Sequence, residues 1–544
     1  MHEFKKIYGI DLGTTNSCIA HINKNGEPEI IPNAEGDLTT PSVVYFETPE
    51  NVVVGKVAKQ SAEMEPSKVV YVVKRSMGDE TFSFEVDDKT YGPEAISQFI
   101  LRKIAQDAST YLNEPVTDVV ITCPAYFGIK EREATKNAGK LAGLTVHAIL
   151  SEPTAAAFNY GFDRVDQDQT VLVFDLGGGT FDVTLIEIKD NNISVVNTGG
   201  DHNLGGKNWD DRIIDHFANI FMDEHGEEND PCTDSYTMQD LRNKAEEAKK
   251  QLSTKTTYRA AISHNGHRAE VELTREKFEE LTRDLLDRTI SLTRNVLEEG
   301  KEKGHPRVDQ VLLVGGSTRM PMVSAAIEKE LGMTPMVYDP DQAVAKGAAW
   351  VALKKLADVI AEEFKPGEEQ ERDKHGEKFG LAPGQTTKLS DIKIRSISSK
   401  AFGLVVVNTK KAEKDPERLY VSHILDRHVQ LPAEETVTSL GTVVDNQKSV
   451  LIELMEQADG NSEPSTEIDN NAKIGEGEIT LAPNLPKGSP IHVTFRLEED
   501  GLLKVHAVDP KSRNECHIET RVSGVMSQEE VEKISSQLQM ITIT

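Results

Sequence analysis

The chain has 544 residues, of which 38% are apolar and 28% charged, and its formal net charge is −29. At ~150 residues per unit, three to four units of ordinary globular composition are expected. So acidic a chain is a poor candidate for a surface that neutralises nucleic-acid phosphates.

Short apolar runs at 7–10, 119–122, 171–174 and 311–314 end in Gly, Pro or Asp and read as buried strands. Helical spacing marks 131–141, 236–252, 275–297 and 322–331. Strands alternating with helices predict a layered α/β architecture. Residues 362–387 are charged, contain glycine and hold few β-branched side chains, which predicts a solvated linker or flexible loop. After Ser396, alternating runs at 404–407, 450–454, 491–495 and 503–508 predict an antiparallel β unit. Ser527 with Glu530 three residues on should open a short helix. Cys18, Cys123, Cys232 and Cys516 form no C-x-x-C pair, so a reducing compartment is expected. No apolar run approaches the ~20 residues of a membrane span. A cytoplasmic protein without membrane or nucleic-acid partners is the expectation.

One local pattern occurs twice. Asp11-Leu12-Gly13-Thr14-Thr15 follows the first strand, and Asp175-Leu176-Gly177-Gly178-Gly179-Thr180 follows the strand at 171–174. Glycines let backbone N–H groups approach phosphate oxygens, and threonine hydroxyls add donors. An aspartate at the strand end can hold the water shell of Mg²⁺. Either turn alone would read as an ordinary tight turn. Two copies at the ends of buried runs favour a polyphosphate clamp across a cleft. Further glycine turns stand at Gly315-Gly316-Ser317-Thr318-Arg319 and at 199–206. A Walker A loop is excluded, because the nearest approach, ending Gly206-Lys207, has Asp201 for the first glycine and Asn208 for Ser/Thr. No G-x-G-x-x-G follows a strand, which argues against a dinucleotide site.

These two turns, with Val314-Gly315-Gly316-Ser317-Thr318-Arg319-Met320-Pro321, Glu152-Pro153-Thr154-Ala155 and Pro124-Ala125-Tyr126-Phe127, resemble the signature segments of the seventy-kilodalton heat-shock protein (DnaK-type) chaperones. The resemblance is very specific over the first 350 residues or so and weaker beyond. It implies an actin-like (ribonuclease H-like, duplicated) ATPase domain at 1–361. A charged insertion and linker would follow at 362–395, a β-sandwich peptide-binding domain at 396–523 and a remnant of a helical lid at 524–544. It also implies roles. Lys74 would contact the γ-phosphate and the attacking water, and Glu152 would lie near that water. Asp11 and Asp175 would orient hydrated Mg²⁺, with Asp182 and Thr180 lining the cation and phosphate region and K⁺ as a further candidate ion. Gly13, Thr14, Thr15, Asn16, Gly177, Gly178, Gly179, Gly205, Gly206, Lys207, Gly315, Gly316, Ser317, Arg319 and Asp341 would surround ATP. Glu246, Lys249, Lys250 and Ser253 would hold the adenosine. Glu246, Lys249 and Ser253 share one helix face, which without the resemblance would read as a salt-bridged solvent face. Pro124 and Arg132 resemble the family's interdomain switch.

For the β unit, the resemblance places a peptide pocket on Leu404, Val407, Leu440, Val443, Val450 and Ile452. Each singly would read as a core residue. The chain departs from the family pattern at Asp37, where arginine is usual, and at Lys250, where lysine lacks the planar face that stacks on a base. Residues 390–397 are more basic and less apolar than the family's linker, and an insertion falls near 408–418. The expected function is an ATP-driven chaperone for extended apolar segments of unfolded proteins, working with a J-domain co-chaperone and with a nucleotide exchange factor as a further candidate. The alternative is a nucleotide-binding regulatory co-chaperone that hydrolyses little and acts through a fixed partner. A small-molecule kinase on the same fold would have no need of the β unit.

Overall fold

The computed structural model describes residues 6–544 except 163, 166, 366, 379–380, 408–418, 459–464, 500 and 520–524. The insertion expected near 408–418 and the boundary at 523 therefore lie outside the described residues.

The buried apolar runs form the centres of two sheets. The first runs Thr145–Ser151, Asp118–Cys123, Tyr8–Asp11, Asn16–Ile22, Pro28–Ile31. The second runs Pro335–Val337, Gln310–Val314, Gln169–Leu176, Phe181–Lys189, Asn192–Asp201. Both have the same directions: three parallel strands, then two antiparallel steps. The repeat suggested by two short turns is thus a repeat of whole sheets. The central strands carry apolar side chains on both faces because helices cover both sides, and Ile10, Val119, Val120, Leu172 and Val173 are all fully buried.

Ala343–Glu362 is a helix that lies against both halves. It packs on the Glu152–Gly161 helix and on the strands Tyr8–Asp11 and Asn16–Ile22. Small residues make this possible. A Cβ on Gly347 would stand 1.8 Å from the Ala155 carbonyl oxygen, and one on Gly9 would stand 2.2 Å from the Ala349 backbone nitrogen. Backbone meets backbone at both places, so neither neighbour can rotate away.

Three expectations change. Residues 362–387 are not a solvated loop throughout: Glu369–Glu377 and Gln385–Asp391 are helices, and the second packs on Ala343–Glu362. Leu381 within the stretch and Leu389 and Ile392 just after it are buried in the core of the second half and anchor it. The 275–297 helix is two helices, Arg275–Leu281 and Arg283–Glu302. The break is at buried Thr282, whose hydroxyl donates to the Phe278 carbonyl at 2.8 Å. Finally, Lys393–Arg395, within the basic stretch at 390–397, pairs in parallel with 192–194 as the outermost strand of the second sheet. Strand pairing uses backbone groups, so the charged side chains do not prevent it.

The C-terminal unit is antiparallel, as its alternation predicts. Its two four-stranded sheets are ordered Leu419–Leu425, Phe402–Val407, Ser449–Gln457, Asn471–Thr480 and Ala433–Gly441, Pro490–Leu497, Leu503–Val508, Glu515–Glu519. Their inner faces share one core, including Leu404, Ile452 and Leu454 from one sheet and Val493, Phe495 and Val505 from the other. The Gln528–Leu538 helix begins with the Ser527/Glu530 capping box. It packs on the Ile129–Leu141 helix, and Val531, Leu538 and Ile541 join the core of the first half. The Arg102 guanidinium donates to the carbonyls of Leu538 at 2.9 Å and Ile541 at 2.7 Å. Beyond it, Thr542–Ile543 pairs in parallel with Asn51–Val54.

Gly347→Val should destabilise the chain by at least the ~1–3 kcal/mol of an overpacked core. A lowered thermal midpoint in differential scanning calorimetry checks this, and an unchanged midpoint would contradict the packing described.

Candidate active site

The two aspartate–glycine–threonine turns meet. A Cβ on Gly178 would fall 1.8 Å from Thr15 Oγ1, and one on Gly179 would fall 2.3 Å from Thr14 Cγ2. Only residues without side chains allow the two halves to touch here. The other glycine turns converge on the same point. The amides of Gly206 and Lys207 donate to the carbonyls of Gly177 and Gly178 at 3.0 and 2.7 Å. Ser317 Oγ donates to the Gly177 carbonyl at 2.9 Å. Arg75 donates through Nε to the Gly179 carbonyl at 2.6 Å and through Nη2 to Asn208 Oδ1 at 2.8 Å.

Around them lies a cleft of about 910 Å³, large enough for a nucleotide. It is lined by Asp11, Gly13, Thr14, Thr15, Asn16, Lys74, Glu152, Asp175, Gly177, Gly178 and Thr180 at one end, and by Lys207, Glu246, Lys249, Lys250 and Ser253 at the other. Gly315, Gly316, Ser317, Arg319 and Asp341 also line it. Gly179, Gly205, Gly206 and Asp182 stand just behind this lining, as part of the turns or the strand that build it. Sequence reasoning missed Lys59, Tyr71, Asp210 and Arg242, which line the cleft too. Lys59 pairs with Glu246 from the opposite half, and Lys249 Nζ reaches Asp210 Oδ2 at 2.6 Å and the Gly206 carbonyl at 2.9 Å. Burial alone would raise the Glu246 carboxyl, but Lys59 and Lys250 override it and hold it at about 2. No local pattern flags Lys59, which sits on the six-residue helix Lys56–Ser61.

Lys74 is buried and ion-paired with Glu152. It stands on a short turn, Val73–Ser76, entered through Val72 at φ 59° and ψ 23°. A β-branched residue in the left-handed region is strained, and such strain gathers at functional sites. Burial pulls the Lys74 ammonium down, but Glu152 and Asp11 outweigh it and raise it above its ordinary value.

The carboxylates crowd together. Burial, with Glu152 adding to it, pushes Asp11 up to about 7 and Asp182 up to about 8, and drives Asp175 well above the usual range. Asp182 Oδ1 accepts from the Ala125 amide at 2.9 Å, while its Oδ2 is buried without a hydrogen-bond partner. Clustered carboxylate oxygens with one orphaned atom fit a hard, hydrated cation such as Mg²⁺.

A short path leads out of the cleft. Ala125, held by Asp182, follows Pro124. Arg132 Nε donates to the Phe127 carbonyl at 2.9 Å, and the Ile129 amide donates to Glu456 Oε1 of the β unit at 3.1 Å. Lys400 Nζ lies 3.4 Å from Glu456 Oε2. The residues expected to form a peptide groove lie apart from this path. Leu404 and Ile452 are core side chains at 4% and 5% exposure, so they present no open surface in this arrangement. Leu440 and Val450 pack at the edge of that core, Val407 is half-buried and Val443 is exposed.

Fold and site together define a glycine-lined, carboxylate-rich cleft between two repeated α/β halves, carried on the same chain as an antiparallel β unit. The family model described as Hsp70 protein matches residues 7–87, 79–354 and 419–542. The chain belongs to the Hsp70 family, whose members are chaperones and ATPases and use ATP with Mg²⁺. They generally engage unfolded clients, J-domain proteins and exchange factors. Among the described residues no helix is long and apolar enough to cross a membrane.

The raised aspartates carry a pH signature. Asp182 stays protonated in the fold from about pH 4 to about 8, while the unfolded chain has already released its proton. Its stability contribution is therefore full at low pH and lost as pH rises through that window. In chelator without nucleotide, the melting temperature should fall between pH 6 and 8, and Asp182→Asn should flatten the slope. Equal slopes in both proteins would count against the crowding.

Proposed function

We propose that the chain is an ATP-dependent chaperone that binds extended apolar segments of unfolded proteins and releases them in a cycle of ATP binding and hydrolysis. Residues 1–361 form an actin-like ATPase domain, 396–523 a β-sandwich that holds peptide, 362–395 the connection and 524–544 a shortened lid. The observation that supports this best is the contact between the two glycine turns beside the buried Lys74–Glu152 pair.

Phosphoryl transfer to water depends on positioning and charge neutralisation rather than covalent chemistry. The backbone amides of Gly178 and Gly179, with the hydroxyls of Thr14, Thr15 and Thr180, cradle the β- and γ-phosphates, while the amides of Gly13 and Gly177 brace their own turns by donating to Ser17 Oγ and the Thr180 carbonyl. Asp11, Asp175 and Asp182 would hold Mg²⁺, which supplies positive charge at the phosphate oxygens when bound. Lys74 neutralises charge at the γ-phosphate. Glu152, held against that ammonium, orients the attacking water. Among the described residues lining this end of the cleft Glu152 is the base placed beside Lys74, and its pairing with that ammonium weakens it, so basal turnover is slow. Glu246, Lys249, Lys250 and Ser253 grip the adenosine, with Arg319 and Asp341 on its other side. The path through Pro124, Arg132 and Glu456 couples nucleotide state to the β-sandwich.

Lys74→Ala should slow single-turnover ATP hydrolysis by about 10²–10³-fold, the cost of removing one preorganised electrostatic group. Hydrolysis at the wild-type rate would refute the role. Thr180→Ala should be nearly inactive in the same assay.

A J-domain protein and an apolar peptide should both raise wild-type turnover, and Val450→Asp should abolish the peptide response alone. If neither stimulates the wild type, the fixed-partner regulatory reading replaces this one.

A further inference from the structure

Three side chains on the outer face of the second β sheet take no part in the machinery above. His506 and His517 stand directly opposite each other across the antiparallel pair Leu503–Val508 and Glu515–Glu519. Glu515 is two residues from His517, so all three project from the same face. The imidazoles are stacked, with centroids 4.3 Å apart and planes 13° apart. Glu515 lies between their nitrogen edges: Oε2 is 3.1 Å from His506 Nε2, and Oε1 is 3.9 Å from His517 Nε2. One donor atom from each residue lies within 4.8 Å of the other two.

A surface histidine–glutamate hydrogen bond would need only one imidazole. Here two rings turn their nitrogens toward one carboxylate, from positions held by the sheet rather than by flexible loops. Two residues at i and i+2 on one strand, with a third directly across, place three donors at one corner of a coordination sphere. Tetrahedral Zn²⁺ with bonds of about 2.0–2.1 Å keeps its donors about 3.4 Å apart. The two nitrogen–oxygen separations, 3.1 and 3.9 Å, bracket that value. Imidazole and carboxylate donors suit late first-row divalent ions. The net charge of −29 also raises the cation concentration near the surface.

We propose that His506, Glu515 and His517 bind one divalent late first-row ion, with Zn²⁺ the best fit and water in the remaining position. The ion bridges Leu503–Val508 and Glu515–Glu519. The latter is one of the two edge strands of its sheet, hydrogen-bonded to a neighbouring strand on one side only. It is also the last strand before the chain leads to the Gln528–Leu538 helix. Metal binding fastens this edge and stabilises the strand that leads to the helix. The site is independent of the nucleotide cleft.

The test uses the full chain, stripped with chelator, desalted and kept in excess Mg²⁺–ADP so that the cleft is filled. Zn²⁺ is titrated in competition with a chromogenic chelator. The wild type should take up one equivalent at this site. His517→Ala and Glu515→Gln should each weaken uptake by no less than the about 10–100-fold that losing an outer-shell partner costs. Co²⁺ should give tetrahedral visible absorption in the wild type and not in the variants, while basal ATP turnover stays the same in all. The proposal is overturned if the wild type takes up no ion, or if the His517→Ala/Glu515→Gln double variant binds as well as the wild type. It is also overturned if uptake survives His517→Ala but is lost in Cys516→Ser, which would place the ion on the thiol.

Discussion

The contact between two turns, glycine backbone against threonine side chains, governs the rest of this structure. Gly178 and Gly179 of one half press against Thr15 and Thr14 of the other at distances no side chain would permit. For that contact to persist, the halves must be held at one separation. The Ala343–Glu362 helix does this by laying its own backbone against the Glu152–Gly161 helix and the first strand, through Gly347 and Gly9. The small residues of the helix and the glycines of the turns therefore serve one constraint, an approach too close for a further side chain: main chain on main chain at the helix, and glycine backbone on threonine side chains at the turns. The helix sets the distance at which the turns meet.

Electrostatics then explains why the cleft wants a ligand. Asp11, Asp175, Asp182 and Glu152 share a buried space with a single buried ammonium, Lys74. Burying charge is tolerated only when it is paired and hydrogen-bonded. One lysine cannot satisfy four carboxylates, and protons or a cation must make up the difference. The Lys59–Glu246 pair at the other end joins the two halves directly, so nucleotide binding and the relation of the halves are one problem.

The β unit is joined to the α/β part by backbone as much as by side chains. Lys393–Arg395 extends the second sheet, Thr542–Ile543 adds to Asn51–Val54, and the Ile129 amide is held by Glu456. Strand addition is indifferent to side-chain charge, which is why a basic stretch can serve as a connection here. The buried pair of Lys400 and Glu456 adds orientation, since each would be costly to bury alone.

The sequence by itself determined the central strands, several of the helices and the glycine turns that line the cleft. Periodicity and glycine placement are local properties, and the turns at Asp11 and Asp175 carry their own geometry. It identified Lys74 and Glu152 only through family resemblance, because nothing local distinguishes a buried lysine from an exposed one. It misread 362–387, where Leu381 within the stretch and Leu389 and Ile392 just beyond it outweigh a charged composition once a core exists to receive them. Lys59 and Asp210, the burial of Leu404 and Ile452, and the meeting of His506, Glu515 and His517 were decided by tertiary structure alone. They depend on which strands and helices become neighbours, and that follows from burying apolar faces across the whole chain.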